Sequence, residues 1–104
     1  MGLTVYWTQF AEEKLEDIFE YYSLKANLKV AHKLVDGIIN HSTKLEKSPF
    51  IGQKEMLLAG RLQEFRYLVY KNYKIIYWIN FDKKQIEIVN IFDCRQNPEE
   101  IEKT

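Results

Sequence analysis

From Gly60 to Pro98 the chain reads as strand, turn, strand, turn, strand. That tract constrains the fold more than any other part. Leu62 to Tyr70, Tyr73 to Ile79 and Gln85 to Phe92 are rich in β-branched and aromatic residues, which favour a pleated surface. Lys71-Asn72 is short enough for a tight hairpin turn, although the glycine that commonly follows Asn is absent. Asn80 to Lys84 supplies the second turn. Three strands joined by such short connections predict an antiparallel meander. One strand carries Arg66 between Phe65 and Tyr67, and the tract closes in Asp93-Cys94-Arg95-Gln96-Asn97-Pro98.

A meander needs a cover for its apolar face, and the N-terminal half provides one. Leu3 to Trp7 reads as a short strand. Thr8 is placed to cap a helix from about Gln9 to Tyr22, with Ala11, Leu15, Ile18 and Tyr22 at helical spacing. Glu12 and Glu13 lie in its first turn, where they complement the dipole. A second helix starts at Asn27 or Leu28, and its stripe is Ala31, Leu34, Val35, Ile38, Ser42 and Leu45. Lys44 and Lys47 suit its C-terminal end. Ser48-Pro49 and Gly52 stop it. Ile51 to Gly60 reads as a loop, with Met56, Leu57 and Leu58 as a packing anchor. Pro98 opens one helical turn over Glu99 to Lys103. The expectation is an α+β fold: a small antiparallel β-sheet packed against an N-terminal helical hairpin. At 104 residues, one domain spanning 1-104 is expected.

The strands are apolar on both parities. Ile75, Tyr77 and Ile79 alternate with Ile76 and Trp78, and Ile86 and Ile88 with Val89 and Ile91. One face meets the helices. The excess on the other predicts a partner or a folded-over tail.

Several function classes are excluded. Net charge is zero, which argues against a broad basic field tracking nucleic acid. No metal-ligand spacing, phosphate-binding glycine loop or serine-hydrolase elbow is present, so no metal and no cofactor is expected. No run approaches the roughly 20 apolar residues of a membrane span, and the N-terminus does not read as a signal peptide. A lone cysteine, Cys94, fits a reducing, cytoplasmic home. It reads as a small buried residue at a strand end, though Arg95 beside it would lower its pKa.

Arg66 has two readings. A mid-strand guanidinium must reach water, a carboxylate or phosphate. Glu64 or Glu87 would make it a salt bridge, whereas phosphate would make it a clamp for developing charge. RNA cleavage through a 2′-hydroxyl also needs a base. The candidates are Glu64, Asp93 and Tyr77, then Tyr67, Tyr70 and Tyr73. His32 and His41 both fall on the second helix, where histidine is usually a boundary residue. Arg95 follows the last strand, in a position suited to function.

These pieces, in order along nearly the whole chain, resemble the ParE/RelE superfamily of toxins from bacterial type II toxin–antitoxin systems. The pieces are Trp7-Thr8 with Ala11, Leu15, Ile18 and Tyr22; Ala31 and Ile38; "LEKSPFIG" from Leu45; "FRYLVYKNYKIIYWI" from Phe65; and "IFDCRQNP" from Ile91. The resemblance implies a cognate antitoxin as partner, in a toxin–antitoxin hetero-oligomer. Its target is DNA gyrase in one branch, or the ribosome with mRNA in another. Arg66 matches the ribonuclease branch's phosphate-contacting arginine, and Arg95 an arginine of the closing motif. That branch often places a His or Tyr near the closing motif. Here Gln96, Asn97 and Pro98 follow Arg95, and Asp93 stands where many members have His. The ending leans toward a ParE-like gyrase inhibitor. The alternatives are a metal-independent mRNA endonuclease using Arg66, Arg95 and Glu64, and a non-enzymatic antitoxin binder.

Overall fold

A computed structural model describes residues 2–104. Strand β1 (Thr4–Trp7) leads into helix α1 (Gln9–Lys25) and helix α2 (Leu28–Ser42). A 3-10 turn (Thr43–Glu46), the short strand β2 (Gln53–Lys54) and a second 3-10 turn (Met56–Leu58) follow. Strands β3 (Arg66–Tyr70), β4 (Tyr73–Asn80) and β5 (Gln85–Asp93) form the meander, and a 3-10 segment (Pro98–Lys103) closes the chain.

The helix starts are set by their caps. Thr8 Oγ1 accepts from the Ala11 amide and donates to the Ile88 carbonyl at 2.9 Å, which ties the start of α1 to β5. Asn27 Oδ1 accepts from the Val30 amide at 2.9 Å and starts α2. α1 runs to Lys25, one turn beyond the expected Tyr22.

The five-stranded sheet has the order β1-β5-β4-β3-β2. The meander is antiparallel as expected, β2 adds antiparallel at one edge, and β1 adds parallel to β5 at the other. The Lys71-Asn72 turn is made without glycine: Lys71 takes a positive φ of 52°. Tertiary contacts hold it there. Asn72 Nδ2 donates to Asp93, and the Asn72 carbonyl accepts from the Cys94 amide at 2.7 Å.

Both faces of the sheet are covered. Ala11, Leu34, Ile38 and Leu45 pack on Leu68, Tyr73, Ile75, Tyr77, Ile86, Ile88 and Ile91. On the far face, Leu58 and Ile101 close over Phe65, Ile76 and Phe92, with Tyr67, Trp78 and Val89 at the margin. The folded-over tail therefore accounts for the apolar excess on this face. A bulge at Ile76/Tyr77 also explains the apolar run of β5. Ile76 pairs with Asn90 and Tyr77 with Ile88, so Val89 is an extra residue and the alternation resets after it.

Two segments differ from expectation. Ile51 to Gly60 is not only a loop, since it supplies β2 and a 3-10 turn, and Leu58 alone of the expected anchor is buried. β3 begins at Arg66 rather than Leu62, and Leu62 is fully exposed. The Phe65 carbonyl accepts from the Glu55 amide at 2.8 Å, while Arg61 reaches the carbonyls of Glu102 and Thr104. The Phe65 contact carries the β2–β3 pairing one residue further, whereas the Arg61 contacts draw the start of the segment away from the ladder toward the tail.

Candidate functional site

Arg66 sits at the start of β3, opposite Tyr77 on β4 and Lys54 on β2. Its side chain is mostly covered. Nη1 donates to the Gly52 carbonyl at 2.9 Å, and Nη2 meets Glu64 at 2.9 Å. The guanidinium lies 5.2 Å from the centre of the Phe50 ring, a cation–π contact. Tyr77 grips the same loop, accepting from the Gly52 amide at 3.0 Å and donating to the Pro49 carbonyl at 2.8 Å. A Cβ on Gly52 would lie 2.5 Å from the Tyr77 hydroxyl and 2.8 Å from the Tyr67 carbonyl, so the close approach requires glycine there. Of the two expected salt-bridge partners, Glu64 is the one engaged; Glu87 accepts from Asn80 instead.

Arg95 lies elsewhere. It forms a two-pronged contact with Asp93, Nε at 3.0 Å and Nη2 at 2.8 Å, and Nη2 also approaches the Tyr22 hydroxyl. Lys14, Tyr21, Tyr22, Tyr73, Asp93 and Arg95 face a cleft of about 390 Å³. α1 thus contributes Lys14 and Tyr22 to a site whose arginine follows β5, a meeting with no local signal in the sequence.

The structure brings Glu64 to Arg66 but leaves Arg95 apart from both. Asp93 is opposite Tyr73, and Arg66 is opposite Tyr77. Those rows are four residues apart on β4, about 14 Å along the strand at ~3.4 Å per residue.

The candidate bases are poorly disposed for proton abstraction near neutrality. Partial desolvation pulls the Glu64 pKa up, but Lys54 and Arg66 outweigh it and hold the carboxyl below its ordinary value. Hydrogen bonds from the Arg95 side chain hold Asp93 low as well, against some desolvation. Such carboxylates are weak bases. Burial pushes the Tyr77 phenol up, more than the Gly52 amide and Arg66 pull it down. Tyr73 is raised by burial and by Tyr22. Tyr67 donates to Gln53, and Tyr70 packs beside Gly37. His32 meets Phe19 edge-on, and His41 packs on Tyr70.

Cys94 is exposed rather than buried, because the chain leaves the sheet after Asp93. Partial burial of its sulfur raises the thiol pKa, and the neighbouring Arg95 is committed to Asp93. Sequence reasoning also missed Glu55, which is buried and meets Lys74 at 2.7 Å. Among the described residues, no three His, Cys, Asp or Glu side chains are grouped to hold a metal. No helix among them is long and apolar enough to cross a membrane.

A helical hairpin on a meander, with an arginine at each end of the sheet's helix-side face, has counterparts among known proteins. The family model described as the ParE toxin of type II toxin-antitoxin system, parDE, matches residues 5–98. The chain belongs to this toxin family, and an antitoxin is accordingly its partner. A solved structure, the chromosomal ParDE TA system from P. aeruginosa, shares the fold with a TM-score of 0.73. Identity is 19%, over 88% of this chain and 95% of that one. No curated protein matches the sequence.

Proposed function

We propose that this toxin arrests growth by binding DNA gyrase, without cutting RNA. The observation that carries the reading is the dispersal of the nuclease candidates. Arg66 and Glu64 neutralise each other around the Phe50–Gly52 loop, and Arg95 stands a strand's length away beside Asp93. In-line cleavage needs a base, an acid and charge stabilisation around one phosphate. Target binding needs only an accessible surface, and Arg95, with a 60% exposed side chain, offers one beside the tyrosine-lined cleft. Arg66 acts in this reading as a clasp for the loop.

The test is induction of the chain in cells, with mRNA 5′ ends mapped and purified gyrase assayed for supercoiling. Lost supercoiling with unchanged mRNA ends is expected. Codon-phased cuts with supercoiling intact would replace this reading with the mRNA endonuclease one. Arg95→Ala should weaken gyrase inhibition by about tenfold, the scale of an interface arginine, at equal protein level.

A further inference from the structure

Three side chains along α1 stand in a row that the core does not use. Lys14, Asp17 and Tyr21 lie three and four residues apart, so they share one face over about 10 Å at ~1.5 Å per residue. The stripe that packs on the sheet is Ala11, Leu15, Ile18 and Tyr22 instead. Lys14 and Asp17 are spaced for an ion pair, yet neither forms one among the described residues. Lys14 Nζ rests 5.6 Å from the centre of the exposed Phe10 ring, a contact that is weak where water reaches it. Tyr21 is 52% exposed and meets Tyr22 edge-on at 5.0 Å. That contact fixes the Tyr21 ring while leaving much of it open.

The row lines the α1 side of the cleft of about 390 Å³, whose other side is Tyr73, Ile91, Asp93, Arg95 and Gln96. A cleft of this volume falls among small-molecule sites, which span roughly 300–1,000 Å³. Its far side is held in place by hydrogen bonds. Tyr73 bonds to Tyr22, the Tyr22 hydroxyl accepts from Arg95 Nη2, and Arg95 grips Asp93 through Nε and Nη2. The grip neutralises Asp93 and leaves Arg95 Nη1 without a hydrogen bond among the described residues. Gln96 is exposed at the rim. The cleft therefore presents two cations with free donors, one unpaired carboxylate and an open aromatic ring.

We propose that this cleft binds a free nucleoside 5′-monophosphate. The order of groups along α1 matches the order of groups in such a ligand. The Lys14 ammonium meets the phosphate, the Asp17 carboxylate accepts from the sugar hydroxyls, and the Tyr21 ring stacks on the base. Asp17 would repel a phosphate placed beside it, which sends the phosphate one turn away to Lys14. Across the cleft, Arg95 Nη1 and the Gln96 amide offer donors to acceptors on the base edge. A nucleotide within a strand is a poorer occupant, because a chain of zero net charge has no basic track for the neighbouring phosphates. Side chains alone grip the phosphate, with no glycine-rich loop around it, so the ligand exchanges freely and is not a resident cofactor. The cleft takes this ligand whatever the toxin's target.

Calorimetry of the full chain with adenosine 5′-monophosphate tests this, with adenosine, inorganic phosphate and a short single strand of DNA alongside. The nucleotide should bind saturably below about 1 mM. Adenosine should bind about tenfold more weakly, having lost the charged contact, and inorganic phosphate more weakly than the nucleotide. Lys14→Gln should cost about tenfold and flatten the salt dependence. Tyr21→Ala should also cost about tenfold, the scale of one stacked base. Asp17→Asn should cost about threefold for the nucleotide and nothing for its 2′,3′-dideoxy analogue. The three side chains lie outside the core, and circular dichroism confirms the fold of each variant. Absence of saturable binding below about 1 mM, or binding by all three variants within about twofold of the parent, overturns the proposal. Adenosine binding as tightly as the nucleotide would overturn the phosphate contact. A DNA strand binding more tightly than the mononucleotide would assign the cleft to nucleic acid and overturn the free ligand.

Discussion

The two faces of the sheet are sealed by different means. The helix-side face lies under two long helices that interdigitate Ala11, Leu34 and Ile38 with the inward residues of three strands. The far face is closed by Leu58 from one 3-10 turn and Ile101 from another. Helices of this length present a continuous stripe, so their burial is cooperative with the sheet. A 3-10 segment has poorer hydrogen bonding and offers one anchor at a time. The comparison teaches that one face holds the fold together, while the other holds a cover that opens at lower cost.

The sharpest test sets Ile38→Ala against Ile101→Ala; both side chains are fully buried. Ile38→Ala should lower global stability by about 2–5 kcal/mol in denaturant unfolding, as for other buried aliphatic truncations. Ile101→Ala should cost less and raise hydrogen exchange first around residues 98–103, because the tail can undock without unfolding the sheet. Equal losses with uniform exchange would break the distinction between the faces.

Gly52→Ala tests the clasp at the Arg66 end. Its Cβ would meet a backbone carbonyl and the Tyr77 hydroxyl, so thermal unfolding should report a loss of about 1–3 kcal/mol, the scale of overpacking. An unchanged melting temperature would mean that the loop yields and Arg66 does not depend on it. Arg66→Ala should leave growth arrest intact at equal protein level if the arginine is only a clasp. Lost arrest with a normal melt would give it a direct role.

The smallest effect concerns pH. The Asp93 pKa is lowered in the fold, first by hydrogen bonds from Arg95. Its contribution is therefore present above the ordinary carboxylate pKa of about 3.9 and is lost as pH falls through the lower folded value. Asp93→Asn should lower stability slightly at pH 7 and flatten the stability curve below about pH 4, so that variant and parent converge in acid. An unaltered acid limb would show that Asp93 is not held by Arg95 in solution.

Much of the fold was legible because local rules and global packing agree. Thr8 and Asn27 cap helices whose stripes point at the sheet, and Pro98 opens the closing turn, but α2 ends at Ser42 and gives way to a 3-10 turn over Thr43–Glu46, before the expected stop at Ser48-Pro49 and Gly52. The far face was legible only as an alternative between partner and tail, since periodicity reports that a face is apolar and not what covers it. β2 was invisible because two residues, Gln53 and Lys54, make no pattern. At the sites, sequence singled out Arg66, Arg95 and Glu64, and the short span from Glu64 to Arg66 made their pairing readable. It did not reveal that Tyr22 would meet Arg95 in a cleft that Lys14 also lines, or that Tyr77 and Arg66 would share the Gly52 loop.

By itself, the sequence determined the two helices, the meander, their order and the family resemblance, because these depend on residue spacing along the chain. Tertiary structure alone decided that the tail closes the far face, that Tyr22 meets Arg95, and that Tyr77 and Arg66 hold the same loop. Those outcomes depend on distances between segments far apart in sequence, which packing sets and periodicity does not encode.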